Sequence, residues 1–238
     1  MSNNCYIFAV EKLDQGQHHY RIIASCPYQI PLLFQLLCSS KTKQITSKLF
    51  QGANQKNIAI RGDFQSGLTA VLDFLEQCVQ RNQQVQVMPM AELKTLVKQV
   101  QEAIQRGDIT NSEYFVLESA EVHSMLCTDL EQATRRLCLE VIHAPKKAVI
   151  RMDQIFSTES QAHAQPDTST YKDENPRSPS EQDFVIPDFD AMTDQEYFAF
   201  LAADYAQFQR DYSKAEQLKD FGFSNFGVAS PVCDFTVA

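Results

Sequence analysis

A long polar stretch in the last third of this sequence is the feature that most constrains how the chain can fold. Of the 26 residues in Ser157–Gln182, only three are apolar or aromatic and three are proline. Such a stretch cannot bury enough apolar surface to offset the chain entropy lost on folding. The sequence therefore predicts a globular body over residues 1–156 that folds by itself, a disordered linker over residues 157–183, and a C-terminal segment over residues 184–238.

Charge is distributed unevenly between these parts. The chain of 238 residues has a net charge of −9. Residues 1–156 hold 16 basic and 15 acidic residues, whereas residues 157–238 hold 5 basic and 15 acidic residues. A nearly neutral body lacks the basic patch that binds nucleic acid, so nucleic acid is not expected as a partner. The acidic end is expected either to keep the chain soluble or to attract a basic protein.

Membrane and targeting signals are missing from the sequence. No apolar run approaches the roughly 18 residues of a membrane span, and the first residues lack the basic region of a signal peptide. The seven cysteines are odd in number and contain no CxxC pair, which favours buried thiols in a reducing compartment over a disulfide framework. We therefore expect a cytoplasmic protein with reduced cysteines and no membrane partner.

Strand and helix signals mix in the body without a regular βαβ repeat, which predicts an α+β fold. Alternating or short apolar runs predict strands at residues 5–10, 20–26, 57–61, 84–88, 114–117 and 148–152. The first two strands are close enough in sequence to pair as a hairpin. Apolar residues at helical spacing predict helices after Pro31, after Asp63, over residues 93–104 and from residue 130 to about residue 141. The helix after Pro31 is apolar almost throughout and is expected to be buried on most sides. Asp63 is expected to cap the second helix, and Gly107 to follow the end of the third.

The C-terminal segment holds nine of the sixteen phenylalanines and predicts one amphipathic helix over Thr193–Lys219. Thr193 and Glu196 have the spacing of a capping box, and one aromatic seam then repeats every three or four residues. Such a seam needs the chain's own body, a second copy or another protein to cover it, and the oligomeric state is left open. The residues expected to bind a protein partner are Phe189, Phe198, Leu201, Tyr205, Phe208 and Tyr212, with the acids Asp188, Asp190, Asp194 and Asp204.

Basic pairs in the body offer this acidic segment a surface. The pairs are Arg135-Arg136 and Lys146-Lys147. Two pairs are too few for a nucleic-acid interface. Contact with the chain's own acidic segment is at least as plausible an interpretation.

Catalytic signals are weak. Glu118, Glu121 and His123 follow an apolar strand, but acids at a strand end are usually a solvated rim. The sequence Gly62-Asp63-Phe64-Gln65-Ser66-Gly67 lacks the lysine and the third glycine of a phosphate-binding loop. His18-His19 are adjacent on a strand and point to opposite faces, so they suit a shared metal poorly. The sequence therefore predicts a protein without catalysis, cofactor or metal.

Three segments resemble a family of small cytoplasmic bacterial proteins of the kind found beside secreted toxins. They are residues 21–38 (RIIASCPYQIPLLFQLLC), Asn57–Leu75 and Tyr114–Met125. The resemblance covers about the first 150 residues and departs where Gln29, rather than an aspartate, follows Tyr28. It implies an immunity or accessory binding role and carries over no catalytic residue.

Two functions are compatible with these features. The first is an immunity protein that binds and occludes a secreted toxin, in which case an acidic inhibitor gains association rate toward a basic toxin domain. The second is a regulatory or adaptor protein that recruits another partner through its acidic aromatic helix. The position of the gene relative to a toxin gene would separate them.

Overall fold

A six-stranded antiparallel sheet with helices on one face forms the molecule, so the α+β class is confirmed. The computed structural model describes residues 3–50, 56–157, 188–226 and 232–237. The strands are β1 Asn4–Lys12, β2 His18–Pro27, β3 Lys43–Ile45, β4 Ala59–Asp63, β5 Tyr114–Glu118 and β6 Phe235–Val237, in the order β3-β4-β5-β1-β2-β6. The helices are α1 Leu32–Leu37, α2 Phe64–Val85, α3 Met90–Ile104, α4 Ala120–His123, α5 Leu130–Ile155, α6 Asp194–Asp211 and α7 Lys214–Lys219.

Alternation along β1 divides the interior into two layers. Cys5, Ile7 and Ala9 face the helices and join the main core. Tyr6, Phe8 and Val10 face the other side, where a smaller cluster contains Tyr20 and Val116 from the neighbouring strands. The predicted pairing of the first two strands as a hairpin is confirmed by the β1–β2 register.

The short helix α1 lies at the centre of the main core. All six of its residues are buried, as its continuous apolar sequence predicted. Its carbonyl end approaches α2 so closely that a Cβ on Gly67 would lie 2.0 Å from the Leu37 oxygen, and one on Gly62 would lie 2.4 Å from the Cys38 Cα. The two glycines of the Gly62–Gly67 sequence therefore allow backbone packing, and Asp63 caps α2 by accepting from the Ser66 amide, as predicted.

Two predicted strands are wrong. Residues 84–86 end α2 and turn through Gln86, which has a left-handed backbone, while the Asn82 side chain bonds both backbone groups of Met88. Residues 148–152 lie inside α5, which continues through Pro145. Residues Ala144, Ala148, Met152 and Ile155 are all buried, so the apolar residues after the proline keep a helical period. Gly107 is also not the cap of α3, because Gln105 follows the helix and Gly107 begins a 3-10 turn.

The C-terminal helix is interrupted, contrary to the single helix predicted over Thr193–Lys219. The capping box at Thr193 and Glu196 is confirmed, but α6 ends at Asp211. A second capping box, formed by Ser213 and Glu216, starts α7 in a new direction. The seam therefore does not run along one helix. The linker prediction, from residue 158 onward, lies outside the described residues.

The main core extends beyond residues 1–156, contrary to the expectation from sequence. Four residues after the second capping box are at most 1% exposed and belong to the same cluster as α1 and α2: Leu218, Phe221, Phe223 and Phe226. The Phe221 ring packs edge-on against Phe74 of α2 at 5.1 Å, and the Phe226 ring packs against Phe34 of α1 at 5.6 Å. The sequence analysis followed only the aromatic seam of the predicted helix and assigned no contact to the phenylalanines that come after it.

We expect Phe221→Ala to lower the free energy of unfolding by about 3–5 kcal/mol, because it opens a cavity beneath α1 and α2. Tyr212→Ala is the matched control, since its ring is 50% exposed and its loss should cost much less. Urea unfolding of the full chain, followed by circular dichroism, measures both. Equal midpoints for the two variants would mean that the C-terminal aromatics do not complete the core.

Candidate functional site

Two acids of the C-terminal segment bind the start of α5. The Asp190 carboxylate accepts from the Thr128 amide at 2.7 Å, the Thr128 hydroxyl at 2.6 Å and the Asp129 amide at 3.2 Å. Asp194 accepts from both Arg135 nitrogens at 3.0 and 3.1 Å and from the Arg136 Nε at 3.1 Å. Hydrogen bonds from Thr128 lower the pKa of Asp190, and those from Arg135 and Arg136 lower the pKa of Asp194. Contact between Arg135-Arg136 and the chain's own acidic segment, one of the interpretations of this pair, is therefore confirmed.

Arg136 is the central residue of this contact. Its side chain is 3% exposed, and its guanidinium donates to the Phe189 carbonyl at 2.7 Å and to the Met192 carbonyl as well as to Asp194. The Arg136 Cζ atom lies 4.8 Å from the centre of the Tyr197 ring. A buried guanidinium requires such a set of acceptors because it would otherwise lose its hydration without compensation. Arg136 therefore fixes the loop before α6 and the first turn of α6 on the body.

Aromatic rings fill the space beneath this contact. Phe189 is 7% exposed and packs edge-on against Phe200 at 5.2 Å and against Tyr197 at 6.2 Å. Phe198 lies 5.6 Å from Tyr197. Phe189, predicted to contact a partner, is thus an internal anchor of the C-terminal segment.

A groove of about 430 Å³ lies between α5 and α6. Its floor and walls combine aliphatic and aromatic side chains with ionisable side chains, and the lining residues are Leu139, Glu140, His143, Lys147, Arg151, Phe198, Leu201, Ala202 and Asp204. Its size is within the range of sites that take a small ligand or one or two side chains of a partner. Three of the residues predicted to bind a partner, Phe198, Leu201 and Asp204, therefore lie in one site.

Most of the charges in the groove are already matched within the chain. Burial raises the pKa of the Glu140 carboxyl, while Lys147, whose Nζ lies 3.7 Å away, opposes the increase. Arg151 pairs with Asp220 at 3.0 Å. Asp204 is exposed on the rim, and in the described part of the chain no ion pair joins it to a base. Asp204 is therefore the acid of the groove that is best placed to meet a basic group of another molecule.

Exposed apolar side chains continue from the groove along the outer side of α5. They are Leu139, Ile142, Val149 and Ile150, each between 37% and 46% exposed. Leu139, Ile142 and Val149 are separated by three and seven residues, a spacing that keeps them on one side of a helix. Contiguous exposed apolar surface of this kind marks interaction sites. Sequence analysis missed these residues because it ended the helix near residue 141 and placed the next apolar run in a strand.

Two further predicted binding residues, Tyr212 and Asp188, lie outside the groove. Tyr212 lies past the end of α6 and lines a different cavity beside Cys26. The Asp188 carboxylate bonds the amides of Asp190 and Ala191 and so stabilises a local turn. The side chains of Tyr205 and Phe208 lie outside the described residues.

Two of the three catalytic candidates at the end of β5 make separate structural hydrogen bonds, and the third, His123, is buried. The Glu121 carboxylate accepts from the Asn4 amide at 2.8 Å and from the Tyr6 hydroxyl at 3.3 Å. Glu118 is 1% exposed and accepts from the Lys48 amide at 3.2 Å. Burial raises the pKa of Glu118 to about 7 and lowers that of His123 to about 4. Within residues 3–50, 56–157, 188–226 and 232–237, no hydrogen bond or ion pair joins the three side chains, and no group of three metal-ligating side chains converges.

We expect Glu118→Gln to stabilise the protein increasingly as the pH rises from about 4.5 to about 8. The folded pKa near 7 lies above the usual glutamate value, so the folded state holds a proton that the unfolded state releases. The stability from this carboxyl is therefore complete at low pH and is lost as the pH passes the folded pKa. The difference between variant and wild type should grow by on the order of 2 kcal/mol over this range.

Urea unfolding at pH 5, 6, 7 and 8 measures the difference in unfolding free energy between variant and wild type. The titration of His123 cancels in this difference because both proteins contain it. Glu102→Gln on the exposed face of α3 is the control, and its difference should stay nearly constant. A pH-independent difference for Glu118→Gln would show that the buried carboxyl does not titrate in this window.

Comparison with known proteins identifies the body and leaves the C-terminal segment without a match. The chain matches the family described as Domain of unknown function (DUF7822) over residues 11–161, which include all of α5 and end before α6. No curated protein and no solved structure matches it. None of the helices in the described ranges is both long and apolar enough to cross a membrane. Since the match spans more than half of its residues, the chain belongs to the family of domain of unknown function DUF7822.

Proposed function

We propose that this chain is a binding protein without catalysis of its own, and that its partner is a protein that places apolar side chains in the groove between α5 and α6. The observation that carries the proposal is that Leu139 both lines the groove and belongs to the exposed apolar side chains of α5, which also include Ile142, Val149 and Ile150. A surface that combines an apolar pocket with an apolar rim is typical of interfaces in which a few buried side chains supply most of the affinity.

The charge of the C-terminal segment supports a basic partner. Residues 188–226 contain eight acids and three bases. Asp190 and Asp194 are used internally, but Asp204 on the groove rim and the exposed Glu196 remain at the surface. Acids around an apolar site speed the approach of a basic protein and select it over acidic ones.

The most concrete form of the proposal is an immunity protein that occludes a secreted bacterial toxin. The resemblance of residues 21–38, 57–75 and 114–125 to proteins found beside toxin genes supports this choice, and so does the acidic C-terminal segment. A regulatory or adaptor protein would use the same groove on a different partner. A toxin gene next to this gene would favour immunity and would supply the protein for a binding test.

We expect Leu201→Asp to weaken binding to that toxin by roughly tenfold or more, because it places a charge in the apolar groove. Ala203→Asp is the matched control: it adds the same charge to an exposed position of the same helix and should change affinity by less than about twofold. Isothermal titration calorimetry with the purified toxin measures both affinities, and thermal unfolding checks that both variants keep their fold. Equal affinity for wild type and Leu201→Asp would place the interface elsewhere.

A further inference from the structure

Two cysteines face each other across the central hairpin. Cys5 of β1 lies directly opposite Cys26 of β2 in the antiparallel register, and both are at most 1% exposed on the helical side of the sheet. Directly opposed residues have Cα atoms about 4.5–5.5 Å apart, and disulfides span Cα distances of about 4.4–6.8 Å. The backbone therefore already holds this pair at a separation that a disulfide can bridge. All seven cysteines are free thiols in the structure.

The two thiols have unequal surroundings. The Cys5 thiol donates to the Gln29 carbonyl at 3.0 Å. Interaction with the neighbouring Cys5 thiol, and with Gln29 and Asn225, lowers the pKa of Cys26 despite its burial. Burial raises the pKa of Cys5 well above its usual value, and its interaction with Cys26 raises it further. Since the thiolate is the attacking species in disulfide exchange, Cys26 is suited to react first and Cys5 second.

The first of these cysteines borders a surface cavity. A surface cavity of about 530 Å³ is lined by Cys26 and Gln29 on one side and by Tyr212, Lys219 and Asn225 of the C-terminal segment on the other. This volume is large enough for a peptide-sized reagent. Other buried cysteines lack this combination: Cys78, for example, lies 3.7 Å from the sulfur of Met152 rather than opposite a second thiol, and burial raises its pKa.

We propose that Cys5 and Cys26 form a redox-active dithiol site that is oxidised reversibly by small disulfides of the glutathione type. The Cys26 thiolate attacks one sulfur of the disulfide, which releases one thiolate and leaves a mixed disulfide on Cys26. Cys5 then loses its proton and attacks the Cys26 sulfur, which releases the second thiolate. The protein thereby gives up two electrons and two protons, and the small disulfide becomes two thiols.

Incubation of the reduced full chain with oxidised glutathione under native conditions tests the proposal. Free thiols are alkylated, and tryptic peptides are identified by mass spectrometry. Cleavage after Lys12, Arg21 and Lys41 separates the two cysteines. We expect residues 1–12 and 22–41 to be joined by one disulfide, with Cys38 in the second peptide alkylated, and we expect dithiothreitol to reverse the link. The exposed Cys233, which should take up glutathione by itself, shows that the oxidant is active.

Single variants test the order of the two steps. Cys5→Ala should retain a glutathione adduct on Cys26, because the resolving thiol is missing, whereas Cys26→Ala should leave Cys5 unmodified. Cys78→Ala is the control and should form the Cys5–Cys26 link like wild type. Complete alkylation of Cys5 and Cys26 in wild type, at a time when Cys233 carries glutathione, would overturn the proposal. A link that forms only in denaturant would overturn it as well.

Discussion

The buried guanidinium of Arg136 holds the start of α6 against α5, and the candidate binding site depends on that contact. Its N–H groups donate to the carbonyls of the loop residues Phe189 and Met192 and to the carboxylate of Asp194 at the start of α6. The ring of Tyr197 packs over it. Removal of one partner from a buried charge usually costs several kcal/mol, since the other partner is left without hydration. Without this contact Phe198 and Leu201 would have no fixed position opposite α5, and the groove would not exist as a defined surface.

The C-terminal segment thus has two roles in different parts of the molecule. Residues after Ser213 complete the main core through Leu218, Phe221 and Phe223, which are completely buried. Residues 194–211 form one wall of a surface groove. The first role concerns stability, because large rings fill the space between the helices. The second role, under the proposed function, is recognition, because apolar side chains at a groove are available to another protein.

Several acids in the described part of the C-terminal segment act within the molecule. The acidic segment has an excess of negative charge, and its acids Asp190, Asp194 and Asp220 contact Thr128, Arg135, Arg136 and Arg151 of the body. A count of charges along the sequence therefore overstates the number of acids that a partner can meet. What a partner would find is an apolar groove with Asp204 on its rim, together with the exposed apolar side of α5.

The sequence by itself determined the features that depend on neighbours along the chain. The spacing of apolar residues predicts the α+β class, the β1–β2 hairpin and the burial of α1. Hydrogen bonding between near neighbours predicts the Asp63 cap and the Thr193–Glu196 capping box. The same local rules place Phe198, Leu201 and Asp204 on a helix, although they do not show what that helix contacts.

Tertiary structure decided the features in which a residue's partner is remote in sequence. Residues 148–152 have the composition of a strand, but burial of Ala148 and Met152 against the core keeps them in α5. The same packing exposes Ile142 and Val149 on the opposite side, so half of the candidate site was not visible in the sequence. The Arg136–Asp194 bond and the facing pair Cys5–Cys26 likewise bring together residues separated by 58 and 21 positions, and only the folded chain places such residues side by side.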